Sequence, residues 1–100
     1  MKTPNLSRQT LLKAAEHACQ AHPRDAEAAH RVFLDILAGH GVRTRRLPEI
    51  VFLSIQGAID RSVGDARAAA WRIQSDLGPM MEFLGLSSSR SSHPDLPLAA

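Results

Sequence analysis

The chain lacks most of the chemistry that announces a function. Of 100 residues only one is cysteine, Cys19, and none is tyrosine. A lone cysteine forms no internal disulfide, so the pattern excludes a small disulfide-stapled secreted domain. Four aromatic residues (Phe33, Phe52, Trp71 and Phe83) leave the core to be built from aliphatic and small side chains. No apolar run approaches the ~20 residues needed to span a bilayer. The opening stretch, MKTPNLSRQT, has no apolar centre of the signal-peptide kind. There is no glycine-rich phosphate loop, no nucleophile elbow and no HExxH pair, so an enzyme is not expected. No internal repeat is evident, and no cofactor is implied. An alanine-rich, arginine-over-lysine composition reads as bacterial, and the simplest location is the cytoplasm.

Charge is scarce and uneven. The formal net charge is +2, with eight Lys and Arg against four Asp and Glu in residues 1–46 and four against six in residues 47–100. This asymmetry permits an anionic partner on one side and requires none.

What is present is helical periodicity. A first helix is expected from Ser7, which suits an N-cap, with Leu6 and Leu11 as a hydrophobic staple. Its inner face is Leu11, Leu12, Ala15, Ala18, Cys19 and His22. Pro23 separates it from a second helix over about 24–38, with Ala26, Ala29, His30, Phe33, Ile36 and Leu37 on one face. Gly39 and Gly41 then offer the positive φ favoured after a helix end. A third helix is expected to begin between Thr44 and Pro48 and to run to about Ser62. Its apolar residues cover more than one face. Asp65 caps a fourth helix, and Gly78-Pro79 ends it. Met80–Leu86 reads as one or two further helical turns. The fold class is therefore all-α: a small four-helix, bundle-like domain over residues 5–86, with a short fifth C-terminal helix. Residues 87–100, Ser- and Pro-rich, read as a flexible, disordered tail.

Three sets of residues bear on function. Arg43, Arg45 and Arg46 precede the third helix, as the phosphate-contacting residues of a helix-turn-helix would. Against a groove-reading role, the residues that follow are Ile50-Val51-Phe52-Leu53, which offer base edges almost no hydrogen bonds. Cys19, His22 and His30 lie on facing helices and could converge as a metal site or pH sensor, but their spacing matches no strong ligand motif. The third set is apolar. A helix with more oily perimeter than a small chain can cover presents a partner surface. Val51, Phe52, Ile55 and Ile59 are the expected contact residues, with Met81 and Phe83 secondary. The function expected from this surplus is a non-enzymatic protein–protein interaction module: a small bacterial adaptor, regulator or co-chaperone that binds a protein partner or its own copy as a homodimer. A DNA-binding regulator using Arg43, Arg45 and Arg46 is the alternative, and a sensor at Cys19, His22 and His30 is the third reading.

Overall fold

The computed structural model describes residues 6–86. Over that span the chain is all-helical: α1 (Arg8–Ala21), α2 (Ala26–Gly39), α3 (Ile50–Arg61) and α4 (Ala66–Leu77), with 3₁₀ turns at Thr44–Arg46 and Gly78–Met80. No strand occurs among the described residues. The segment 87–100, expected to be a flexible tail, lies outside them, as does residue 5.

Local signals set most helix starts. The Ser7 hydroxyl accepts a hydrogen bond from the Thr10 N–H at 3.0 Å, while Leu6 and Leu11 are both buried. The Asp25 carboxylate accepts from the Ala28 N–H at 3.1 Å, and the Asp65 carboxylate from the Ala68 N–H at 3.0 Å. Each cap satisfies an N–H that has no partner within its own helix. At the end of α2, Gly41 adopts φ +89°, and the Gly41 and Val42 N–H groups donate back to Ala38 and Leu37. Gly39 belongs to the helix itself, so Gly41 alone makes the left-handed cap.

Two expectations about helix limits are corrected. The third helix does not begin between Thr44 and Pro48. Thr44 opens a 3₁₀ turn instead, and Leu47 is extended at φ −71°, ψ 135°. The following proline ring disfavours helical ψ at that residue, so the helix nucleates past it. The first bond into it runs from the Val51 N–H to the Pro48 carbonyl at 3.1 Å. The expected fifth helix is also absent. After Gly78–Met80 the chain makes one turn, with the Leu84 N–H on the Met80 carbonyl at 2.8 Å. Gly85 at φ +78° then ends it. Met81, Leu84 and Leu86 are buried, and the Leu86 carbonyl accepts from the Leu6 N–H at 2.9 Å, tying this segment to the entry of α1.

The buried positions show an order that the letters of the sequence conceal. In α1 they are Leu11, Ala14, Ala15, Ala18 and Cys19; in α3 they are Val51, Ser54, Ile55, Ala58 and Ile59. Each lies forty residues after its counterpart. Ala29, Phe33 and Leu37 of α2 recur in the same way as Ala69, Ile73 and Leu77 of α4. The capping aspartates, Asp25 and Asp65, keep the offset too. The chain is thus a repeat of two αα-hairpins, where no repeat was expected from the sequence. Identity is confined to Asp25/Asp65 and to pairs such as Ala18/Ala58, Ala28/Ala68, Ala29/Ala69 and Leu37/Leu77. The other matched positions keep their burial and change their side chain, so a comparison of letters passes over them.

The helices pack accordingly. α1 lies against α2 and α4, α3 against α4 and α2, and exchanging the hairpins leaves this set of neighbours unchanged. The α1–α4 pair is the most extensive. Alanines make up three of the five buried residues of α1 and two of the four of α4, and small side chains let helix backbones approach closely.

If the two hairpins are equivalent, their caps contribute equally. Asp25→Ala and Asp65→Ala should each lower unfolding free energy by about 1 kcal/mol. Urea unfolding of the two variants checks this, and a cost confined to one of them would break the equivalence.

Candidate functional site

The structure turns α3 differently from the sequence-based expectation. Val51, Ile55 and Ile59 form its inner stripe and are buried in the core, together with Met81. They are not the outward contact residues they were expected to be. Phe52 is half-buried, edge-on to the His30 ring of α2 at 5.2 Å. Phe83 alone of the expected set is fully outward, at 82% exposure. The inward stripe is set by helical spacing: Val51, Ser54, Ile55, Ala58 and Ile59 turn to the core as their α1 counterparts do. Ser54 is accommodated there because its hydroxyl donates to the Asp76 carboxylate of α4 at 3.1 Å. With Ser54 inside, the apolar residues left outside are Ile50, 42% exposed, and Leu53, 48% exposed.

Ile50 and Leu53 border a groove between α3 and α4. One cleft of about 390 Å³ is lined by Ile50, Leu53, Ser54, Asp76 and Met80. A second, of about 240 Å³, is lined by Leu53, Ser54, Gly57, Ala58, Arg61, Arg72 and Asp76. They share Leu53, Ser54 and Asp76 and so lie side by side along the α3–α4 seam. One end is apolar, at Ile50, Leu53 and Met80. The other carries the Arg61 and Arg72 guanidinium groups, neither of which forms an ion pair among the described residues. The floor is small. Gly57 lies in mid-helix, and a Cβ built there would meet nothing within 4 Å.

The other hairpin carries the matching cleft. It measures about 440 Å³ and is lined by Thr10, Lys13, Ala14, His17, Ile36 and His40. Forty residues on, these positions are Ile50, Leu53, Ser54, Gly57, Asp76 and Met80, and every one lines the α3–α4 groove. The repeat therefore extends from the core to the surface. The periodicity of α3 alone points to surplus apolar surface; finding Gly57, Met80 and Asp76 as its neighbours requires knowing that α4 lies alongside.

The remaining expected sites are not assembled. Arg43, Arg45 and Arg46 are exposed around a 3₁₀ turn, and the helix after them presents Ile50 and Leu53, which carry no groups for base edges. Cys19, His22 and His30 do not come together as a ligand set, and no cluster of three His, Cys, Asp or Glu residues able to hold a metal occurs among the described residues. Cys19 is buried among core side chains, and burial pushes its thiol up to about 11, so the nucleophilic thiolate is suppressed. His30 points to Phe52 rather than to a ligand partner. The Glu16–Arg67 pair between α1 and α4, at 4.0 Å, is a solvated surface contact worth little. No helix among the described residues is long and apolar enough to cross a membrane.

No known family, curated protein or solved structure matches this chain. The surface itself therefore carries whatever can be argued about function.

His30 supplies a pH test of the α2–α3 contact. Burial lowers its pKa below the ordinary 6.5, favouring the neutral ring in the folded state. Its contribution to stability should be complete above pH 6.5 and fall away as pH drops from there through the folded value. Urea midpoints measured from pH 7.5 down to 5 should show this limb in the wild type and a shallower one in His30→Gln. Identical limbs would mean that His30 is not held neutral.

Proposed function

We propose that the chain is a non-enzymatic helical interaction module, built as a four-helix bundle, whose docking surface is the groove between α3 and α4. One observation carries this reading. Ile50 and Leu53 stand about half exposed beside Met80, over a cleft floored by small residues. Scattered exposed apolar side chains are normal, whereas a contiguous apolar groove bordered by charge is the usual form of a binding surface. The reading keeps the role expected from surplus apolar surface on α3 and moves it from Val51, Ile55 and Ile59 to Ile50, Leu53 and Met80. Such a module fits a small adaptor, regulator or co-chaperone.

The test compares affinity-tagged wild-type chain with Leu53→Asp, recovered from the cells that produce it. Leu53 contributes little to the core, so the variant should keep its circular dichroism spectrum. Val63→Ser, on an exposed side chain away from the groove, is the control. A partner protein should be recovered with wild type and Val63→Ser and reduced roughly tenfold or more with Leu53→Asp, as for a residue at the centre of an interface. Equal recovery with all three would overturn the proposal.

A further inference from the structure

We infer that the α3–α4 groove receives one amphipathic helix of a partner protein, with an apolar stripe seated on Ile50, Leu53 and Met80 and a carboxylate held at Arg61 and Arg72. This rests on the reading of the groove as a docking surface and adds the chemistry of its occupant.

The repeat provides an internal comparison. The two clefts occupy matching positions on matching hairpins, so they can be compared position by position. Thr10, Lys13, His17 and His40 of the α1–α2 cleft are replaced by Ile50, Leu53, Gly57 and Met80 in the α3–α4 groove. At these four positions polar or titratable side chains become three apolar ones and a glycine, while Ala14 and Ile36 become the hydrogen-bonded pair Ser54 and Asp76. Met80 packs against the core, but the core does not call for the changes at Ile50, Leu53 and Gly57, because Ile50 and Leu53 are about half exposed and the space above Gly57 is empty. Glycine within a helix sacrifices helix stability relative to alanine, and nothing inside the fold uses the room it leaves. Close approach by another chain would use it.

The form of the groove selects a helix. Among the described residues there is no strand and hence no sheet edge to which an extended peptide could add. From Ile50 to Arg61 the groove follows α3 for about 16 Å at 1.5 Å per residue, three helical turns. That length suits apolar anchors spaced i, i+3 or i+4, and i+7. Charge then selects the partner's polar end. Arg61 and Arg72 outnumber the single carboxylate of the groove, Asp76, whose oxygen already accepts from Ser54. Guanidinium groups without an internal acid match a partner carboxylate, which they bind in forked geometry. A second copy of this chain fits less well. Two-fold pairing of the groove with itself sets the arginine end of one copy against either the arginine end or the apolar end of the other.

The test is an NMR titration of the ¹⁵N-labelled full chain with a designed helical peptide. It carries leucines at i, i+3 and i+7 and a glutamate one turn beyond. A second peptide has lysine in place of that glutamate. The glutamate peptide should shift the amides of Ile50, Leu53, Gly57 and Arg61 saturably, leave those of Thr10, Lys13 and His17 in place, and bind roughly tenfold more tightly than the lysine peptide. Leu53→Lys with Ile50→Thr, which installs the residues that the first hairpin holds at the same positions, should abolish those shifts while keeping the fold. Arg61→Gln with Arg72→Gln should bring the two peptides to equal affinity. Equal binding of both peptides to the wild type, shifts spread over both clefts, or no saturable shift would overturn the inference. So would self-association of the chain that Leu53→Lys abolishes, which would assign the groove to a second copy. In either case, Leu53-dependent recovery of a partner would still support the broader reading.

Discussion

The structure depends on burying one narrow stripe from each of four short helices against its neighbours. None of these helices exceeds 14 residues, and helices of that length are marginal alone, so tertiary packing must hold them. The chain meets the requirement with the same solution twice. A helix with one buried stripe, a tight connection and an aspartate-capped second helix are built once over residues 8–39 and again over residues 50–77. Phe33 and Ile73 fill matched positions, while alanines let α1 and α4 lie close together. Little core remains for anything else. The N- and C-terminal parts of the described chain close it through Leu6, Leu84 and Leu86.

Repetition leaves the surface freer than the core. A buried position must stay apolar or find a partner as its counterpart does, whereas an exposed one is limited only by solubility and by what it meets. The two clefts show that freedom. Thr10, Lys13 and His40 of the first stand where the second has Ile50, Leu53 and Met80, and Ala14 and Ile36 stand where it has Ser54 and Asp76. The apolar surface of α3 is therefore not a by-product of a crowded core. Its counterpart α1 satisfies the same packing with Thr10 and Lys13 facing out. The half-exposed Ile50 and Leu53 beside Met80 are the physical reason to connect the α3–α4 groove with a partner.

Much of the fold was legible in the sequence. Ser7 and Asp65 announced helix starts through capping chemistry, the Leu6–Leu11 staple is in place, and Gly78-Pro79 ends α4. The excess of apolar residues in the third helix was legible too. Its direction was not. Periodicity favours turning Val51, Phe52, Ile55 and Ile59 together toward one side, but it cannot weigh a serine that is welcome inside because an aspartate on another helix accepts its proton. Leu53 lies off the stripe that takes in Val51, Ser54, Ile55, Ala58 and Ile59, as Lys13 lies off the matching stripe of α1. The fifth helix was misjudged because Met80–Leu86 has apolar content without the length to continue past Pro79 and Gly85. The repeat was hidden because its halves share burial and capping far more than residue identity. The groove was out of reach for a related reason: Asp76 and Met80 join Leu53 only once α4 is laid beside α3.

The central claim is that α3 keeps Val51, Ile55 and Ile59 inside while Ile50 and Leu53 face water. Methyl relaxation by a soluble paramagnetic agent, recorded on the monomeric chain at low concentration, reads this directly. The account predicts strong relaxation of the Ile50 and Leu53 methyls and protection of those of Val51, Ile55 and Ile59. Protected methyls at Ile50 and Leu53, or strongly relaxed ones at Ile55, would contradict it.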